Sequence, residues 1–269
     1  MAENLPRFSI LICNYNYAGF VGQAIRSALE QNYPVDRFEV VVVDDGSTDN
    51  SREVIEGFRS AVNLVTVFQN NRGQSGAFEA AVNAAHGDYV CLLDSDDLFH
   101  PGKLPRVAAA LARLAAPADE ILLCNALFIE DSTAGTLIQQ SWFDVVGISR
   151  LPDQWTLSDP IMDFPYSIPC GLVFSRPLIA KVLTAMPTWA FPRSADGVIC
   201  PAAFMRTGRI HYLREKLGTY RIHGGNEFGG LVNGIYVPKL NWRERTPRTL
   251  RFLYEWLDLL DLPIIEAAV

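Results

Sequence analysis

The sequence predicts an α/β fold built on a doubly wound, mainly parallel sheet, and three observations predict it. Short apolar runs alternate with stretches of helical periodicity through the N-terminal part of the chain. Each run breaks off abruptly into polar or acidic residues, as a strand buried on both faces does where it leaves a sheet. The plainest case is Tyr89-Val90-Cys91-Leu92-Leu93-Asp94-Ser95-Asp96-Asp97, where the apolar run ends in three carboxylates.

In order, Phe8 to Cys13 reads as a first strand leading into Asn14-Tyr15-Asn16-Tyr17. Phe20, Val21, Ala24, Ile25, Ala28 and Leu29 then share one helical face. Val40 to Val43 is a second strand that stops in Asp44-Asp45-Gly46-Ser47-Thr48-Asp49, with Ser47, Thr48 and Asp49 all suited to cap the helix running to about Phe58. Val62 to Phe68 gives a third strand, Gly76 to Ala85 a third helix, and Tyr89 to Leu93 a fourth strand. In such a sheet ligands bind outside the carboxyl ends of the strands, so Cys13-Asn14-Tyr15, Asp44-Asp45 and Asp94-Ser95-Asp96 are expected to line one crevice. Polar strand ends are common to all α/β proteins, but carboxylate pairs at two separate exits are not required by that rule.

If the extended conformation persists past Leu93, Asp94 and Asp96 point one way and Ser95 and Asp97 the other. Two convergent carboxylates suit Mn²⁺ or Mg²⁺. Asp-x-Asp alone reads equally as an acidic turn between a strand and a helix. The first turn has no G-x-G-x-x-G and the chain no Walker A sequence, which leaves a metal as the way to hold phosphates.

Composition narrows the classes. The chain has 269 residues, 49% hydrophobic and 20% charged, enough for a full core. A formal net charge of -7 excludes a general nucleic-acid binder. The five cysteines, Cys13, Cys91, Cys124, Cys170 and Cys200, form no C-x-x-C pair and read as reduced core thiols. No apolar run reaches the ~18 residues of a membrane span. Met1 to Arg7 does not have the pattern of a signal peptide. The expected setting is therefore cytoplasmic, with a peripheral place at the inner membrane face as the other option.

The runs Ile10-Leu11-Ile12-Cys13-Asn14-Tyr15-Asn16, Val41-Val42-Val43-Asp44-Asp45-Gly46-Ser47-Thr48-Asp49 and Gly87-Asp88-Tyr89-Val90 leading into Asp94-Ser95-Asp96-Asp97 resemble the successive motifs of the bacterial-type family 2 inverting glycosyltransferases of GT-A fold. The resemblance is dense from about Arg7 to Leu104 and resumes in patches up to Asn226. It implies a nucleotide-sugar donor, a divalent metal (Mn²⁺ or Mg²⁺), and a saccharide, lipid-linked or protein acceptor, with bacterial polysaccharide or glycoconjugate synthesis as the usual setting. By position, Asp45 matches the residue that accepts the imide of a uracil-type base, and Cys13, Asn14 and Tyr15 lie beside that base. Asp96 matches the carboxylate that binds the metal directly, with Asp94 and Ser95 near the ribose, the diphosphate or the metal's water shell. Asn71-Arg72-Gly73-Gln74-Ser75-Gly76 resembles the family's Gly-rich helix entry, from which Arg72 reaches the nucleotide or remains a solvated loop side chain. The usual Ala-Arg-Asn run is here Ala77-Phe78-Glu79, and no role passes to Glu79.

In the second half, a helix from Leu104 to Leu114 precedes a strand from Ile121 to Phe128. Ser141 to Pro169 is aromatic, proline-rich and aperiodic, and acceptor recognition is assigned there against a plain reading as loop-covered core. Leu172 to Phe174 is strand-like, and Ser175 opens a helix carrying Pro177 in its first turn. The resemblance makes Asp196 the catalytic base, although the commoner Glu-Asp pair is here Ala195-Asp196, and a helix N-cap is the competing reading. Tyr220-Arg221-Ile222-His223-Gly224-Gly225-Asn226 is similar to the family's Tyr-Arg-x-His-x-x-Asn signature, which gives Arg221 to the diphosphate and His223 to the metal or diphosphate. Thr246 and Pro247 open an amphipathic helix with Leu250, Leu253, Leu257 and Leu260 on one face, suited to packing on the body or forming a homodimer.

The domain plan is 1–226 for the catalytic domain, with a nucleotide-binding half 1–104 and an acceptor half 105–226, and 227–269 for a lid and the C-terminal helix. The readings set against a glycosyltransferase are a non-catalytic nucleotide-binding or scaffold protein of the same fold and a sugar nucleotidyltransferase. The first loop lacks the glycines and arginine the last would need.

Overall fold

The computed structural model describes residues 5–114, 120–145, 153–156, 168–186, 194–226, 229–232 and 235–238. Its centre is strand β1 (Phe8–Asn14), paired in parallel with β2 (Phe38–Asp44) on one side and β4 (Tyr89–Asp94) on the other. The registers Asn14↔Asp44 and Cys13↔Asp94 set three strand exits side by side. β3 (Leu64–Phe68) extends the sheet beyond β2, again in parallel.

The sheet does not stop at the nucleotide-binding half. With β5 (Leu98–Phe99), β6 (Leu122–Asp131), β7 (Thr136–Ser141), β8 (Gln154–Thr156), β9 (Leu172–Ser175) and β10 (Arg209–Ile222), its order is β3-β2-β1-β4-β9-β6-β10-β5. β7 sits on β6 and β8 on β10. β9 is antiparallel to both β4 and β6, whereas β10 runs parallel to β6, so β10 ends on the same side as β1, β2 and β4. That direction delivers the residues after Ile222 to the crevice. A separate hairpin joins β11 (Gly229–Val232) and β12 (Ile235–Pro238).

Alternation along the strands supplies both faces of the core. Leu11, Val41, Val43 and Leu92 pack toward α3 (Gly73–Ala84), α6 (Arg176–Ala185) and α7 (Asp196–Thr207) through residues such as Phe78, Ile179 and Ile199. Ile10, Ile12, Val40, Val42 and Leu93 pack toward α1 (Ala18–Leu29) and α4 (Lys103–Leu111) through Ile25, Leu104 and Val107. Each fully buried aliphatic side chain contributes ~1.5–3 kcal/mol relative to exposure. Strands buried on both faces are why the sequence runs are continuously apolar.

Several local expectations are corrected. Val62 is 89% exposed and lies before β3, which starts at Leu64. None of Ser47, Thr48 and Asp49 is the N-cap of α2 (Ser51–Glu56); that position belongs to Asn50. Asp49 instead bridges two helix starts, accepting from the Ser51 and Ala18 N–H groups, each at 2.9 Å. β10 has 14 residues, of which the sequence motif marked only the later part. Its charged Arg214, Glu215 and Lys216 fall where register shifts break the pairing with β6, which hides the strand's alternation. The aperiodic 141–169 stretch lies largely outside the described residues, and the helix beginning at Thr246 lies wholly outside them.

Candidate active site

The motif at the β4 exit does not stay extended. After Asp94 the chain turns, with the Asp97 N–H donating to the Asp94 carbonyl at 3.1 Å. The turn defeats the alternation expected of Asp94 and Asp96 against Asp97, and brings carboxylate oxygens of all three within 4.8 Å of one another. Asp94 and Asp96 are half-buried, while Asp97 and Ser95 are buried. Burial, then the charges of Asp96, Asp97 and Asp196, push the Asp94 carboxyl well above the usual range. A site that penalises its own carboxylates in this way, with hard oxygen donors, fits a divalent cation held by Asp94 and Asp96.

Asp97 is the residue the sequence left without a role. Its Oδ1 accepts the Arg221 backbone N–H at 3.0 Å, and the Cys170 thiol lies against the same carboxylate. It thereby ties the metal turn to the end of β10. Arg221 adds a second tie, since its side chain donates Nε–H to the Asp96 carbonyl and Nη1–H to Gln23 Oε1 (2.6 Å), over the ring of Phe20. Its guanidinium is buried, and its Nη2 has no hydrogen-bond partner among the described residues. Burial lowers its pKa against the pull of Asp97 and Asp96.

His223 follows β10 and meets the turn directly, Nε2 lying 3.1 Å from Asp96 Oδ2. The Gly225 N–H donates to Nδ1 at 3.1 Å, which assigns the ring proton to Nε2 and makes the imidazole a donor to Asp96. Serving as a metal ligand through Nε2 would require that proton to leave. The ring is stacked on Phe20 at 4.4 Å and edge-on to Tyr17 at 5.8 Å. Asn226 Oδ1 accepts the His223 N–H, so the end of the signature holds its middle in place. Phe20 gave no sequence signal beyond the helical periodicity of a core residue.

The two carboxylates after β2 divide their work. Asp44 is internal, accepting from Asn14 Nδ2 at 2.9 Å and from the Ser47 hydroxyl at 2.5 Å. Asp45 Oδ1 accepts from Gln69 Nε2 at 2.7 Å and the Arg72 N–H at 2.8 Å, while its Oδ2 takes no hydrogen bond among the described residues. Gly46, at φ 75°, makes the turn possible, and a Cβ there would stand 2.8 Å from the Asn71 nitrogen. The Arg72 guanidinium pairs with Glu79 at 2.7 Å. Between the exits, Cys13 is held as a neutral thiol by burial and by the charges of Asp94 and Asp45. Tyr15, 46% exposed, stands beyond β1.

Asp196 occupies the first turn of α7, with Ala195 at the N-cap position. The competing N-cap reading is therefore off by one residue. The charge of Asp196 is felt by both Asp94 and Cys200. One end of the sheet thus gathers a carboxylate turn, an imidazole, a buried carboxylate that holds a loop, and an acidic helix start.

A mainly parallel sheet with antiparallel additions, carboxylates gathered at the end of its fourth strand and no glycine phosphate cradle in the sequence, has the architecture of a GT-A type transferase. Residues 9–136 match the family model described as glycosyl transferase family 2. A glycosyltransferase of Nostoc sp. is 36% identical over 82% of this chain and 66% of its own length, and one of Mycoplasma pneumoniae is 33% identical over 80% and 68%. Among solved structures, Staphylococcus aureus TarS in complex with UDP-GlcNAc aligns with a TM-score of 0.66 at 24% identity, over 82% of this chain and 60% of that one. The Pyrobaculum calidifontis mannosyltransferase PcManGT, in complex with GDP-Man and Mn²⁺, aligns at 0.58 and 20%, over 83% and 59%. The chain thus spans about two thirds or less of the length of these proteins. It belongs to glycosyltransferase family 2 and has the GT-A fold. No described helix is long and apolar enough to cross a membrane.

Proposed function

We propose that the chain is a metal-dependent inverting glycosyltransferase that moves a sugar from a UDP-linked donor to an acceptor hydroxyl. The observation that carries this reading is the meeting of Asp94 and Asp96 with His223 (3.1 Å from Asp96) and with the charge of Asp196 at one sheet end. TarS, a relative by fold, is a complex with UDP-GlcNAc, which supports uridine as the nucleoside. Asp45 would accept the imide N–H of uracil on Oδ2, a charge-assisted bond that a cytosine could not form. Asp94 and Asp96 would hold Mn²⁺ or Mg²⁺, which when bound would supply charge neutralisation for the departing diphosphate. Asp196 takes the acceptor's proton as the hydroxyl attacks, an arrangement worth ~10²- to 10⁴-fold in rate. His223 presents its Nε2–H to the same anionic region. In this reading residues 1–104 hold the donor, 105–226 complete the site on the acceptor side, and polysaccharide or glycoconjugate chains are the acceptors.

Calorimetric titration of UDP, GDP and dTDP with Mn²⁺ or with EDTA, repeated on Asp96→Ala, tests the proposal. Mn²⁺-dependent UDP binding that the substitution abolishes is expected. Equal binding in EDTA, or no nucleotide bound under any condition, would overturn it.

A further inference from the structure

The start of α7 poses a local problem. The N–H of a helix N-cap residue needs a partner from outside the helix, and in a capping box a Glu or Gln three residues on reaches back to supply it. Here the N-cap is Ala195, fully buried, with no side-chain cap, and the residue three positions on is Val198. Neither side chain has an oxygen. The partner comes from a different helix: Gln74 Oε1, in the first turn of α3, accepts the Ala195 N–H at 2.8 Å across 121 residues of sequence. Ser194, just before it, has φ 55°, in the left-handed region that few non-glycine residues adopt.

Gln74 is also two residues beyond Arg72, whose N–H is fixed on Asp45 Oδ1 at 2.8 Å. A short segment therefore carries both the anchor to Asp45 and the anchor to the residue before Asp196. We propose that Gln74 is the positioning residue for Asp196, linking the start of α7 to the loop that Asp45 holds. The inference rests on the roles given above to Asp45 and Asp196. A nucleotide base on Asp45 further restrains the loop that Oδ1 already holds, the loop restrains Gln74, and Gln74 restrains the helix start that carries Asp196. The carboxylate is then set in place once the donor is bound.

The test is amide hydrogen exchange of the full chain, comparing wild type with Gln74→Leu, which keeps the volume but loses the acceptor, and Gln74→Glu, which keeps the acceptor. Stranding a buried N–H costs roughly 1–3 kcal/mol, so exchange in the 194–200 segment is expected to rise about tenfold or more in the Leu variant. It should stay near wild type in the Glu variant, with 89–97 unchanged in both. Adding UDP with Mn²⁺ should slow exchange at 194–200 in wild type and not in Gln74→Leu, while calorimetric UDP affinity changes less than about threefold. Unchanged exchange at 194–200 in the Leu variant, or equal slowing by UDP in both proteins, would overturn the assignment. If wild type binds no UDP, the donor reading falls and the positioning role of Gln74 with it, leaving the ligand-free comparison to report only the cap on Ala195.

Discussion

Replacing Asp45 by Asn is expected to change which pyrimidine nucleotide the protein prefers. Asp45 Oδ1 receives two donors, Gln69 Nε2 at 2.7 Å and the Arg72 N–H at 2.8 Å. In Asp45→Asn the amide oxygen must take that position, because the opposite orientation would set an NH₂ group against two N–H donors. The new NH₂ then occupies the place of Oδ2. It meets the uracil imide N–H donor to donor, but it can donate to N3 of cytosine. Loss of a hydrogen bond to a charged group is worth ~1.5–3 kcal/mol, which corresponds to a fall of about 10- to 150-fold in UDP affinity. CDP affinity should rise, narrowing or reversing the preference. Calorimetry of UDP and CDP with Mn²⁺ reads both changes. A thermal melt checks the fold, which should hold because both internal bonds to Oδ1 survive. UDP affinity within twofold of wild type, or no gain for CDP, would refute the argument that Oδ2 reads the base.

Two further outcomes concern stability. Asp97→Leu strands the buried Arg221 N–H that Oδ1 accepts at 3.0 Å, whereas Asp97→Asn keeps an acceptor there, so the Leu variant should be less stable than the Asn variant by about 1–3 kcal/mol in urea unfolding. Asp144 lies in α5 (Trp142–Val145), and its Oδ2 accepts the Ser141 N–H at 2.6 Å and the Ser141 hydroxyl at 2.8 Å. These bonds, the backbone one first, hold its pKa below the ordinary value. A carboxylate with a lowered folded pKa contributes stability above its unfolded value of ~3.9 and loses it as pH falls through the folded value. Because Asp144 is exposed and solvent screens its charge, Asp144→Ala should cost no more than about 0.5 kcal/mol at pH 7, with the difference from wild type shrinking in acid. A constant difference across that range would show that the carboxylate's charge plays no part.

β1, β2 and β4 were legible because each is buried on both faces and so is written as a nearly continuous apolar run, as in Val40 to Val43, while the half-buried edge strand β3 was placed too early, at the exposed Val62. β10 was not, because its bulges fall at Arg214, Glu215 and Lys216, the first two exposed, and cancel the alternation that marks a strand. The same contrast holds within the site. Asp94, Asp96, Asp45, Arg221 and His223 stand in ordered motifs, and motif order survives in sequence. Gln23, Phe20 and Gln69 stand in no motif, and Gln74 stands in the Gly-rich helix entry without a role of its own there; each acquires its role from a partner brought near by the fold, such as Arg221 for Gln23, 198 residues away.

The sequence by itself determined which residues would stand at the strand exits, since burial pattern and residue order are local properties. Only the tertiary structure decided how those residues use their atoms. Alternation would have set Asp97 apart from Asp94, but a turn closed by one hydrogen bond gathers all three carboxylates. It sent the Arg221 side chain inward to brace that turn, left Asp44 structural and Asp45 with one oxygen unused, and gave Ala195 a cap from another helix. The physical reason is common to all of these. A buried polar group must find a partner, and which partner lies within about 3 Å is fixed by how distant segments pack.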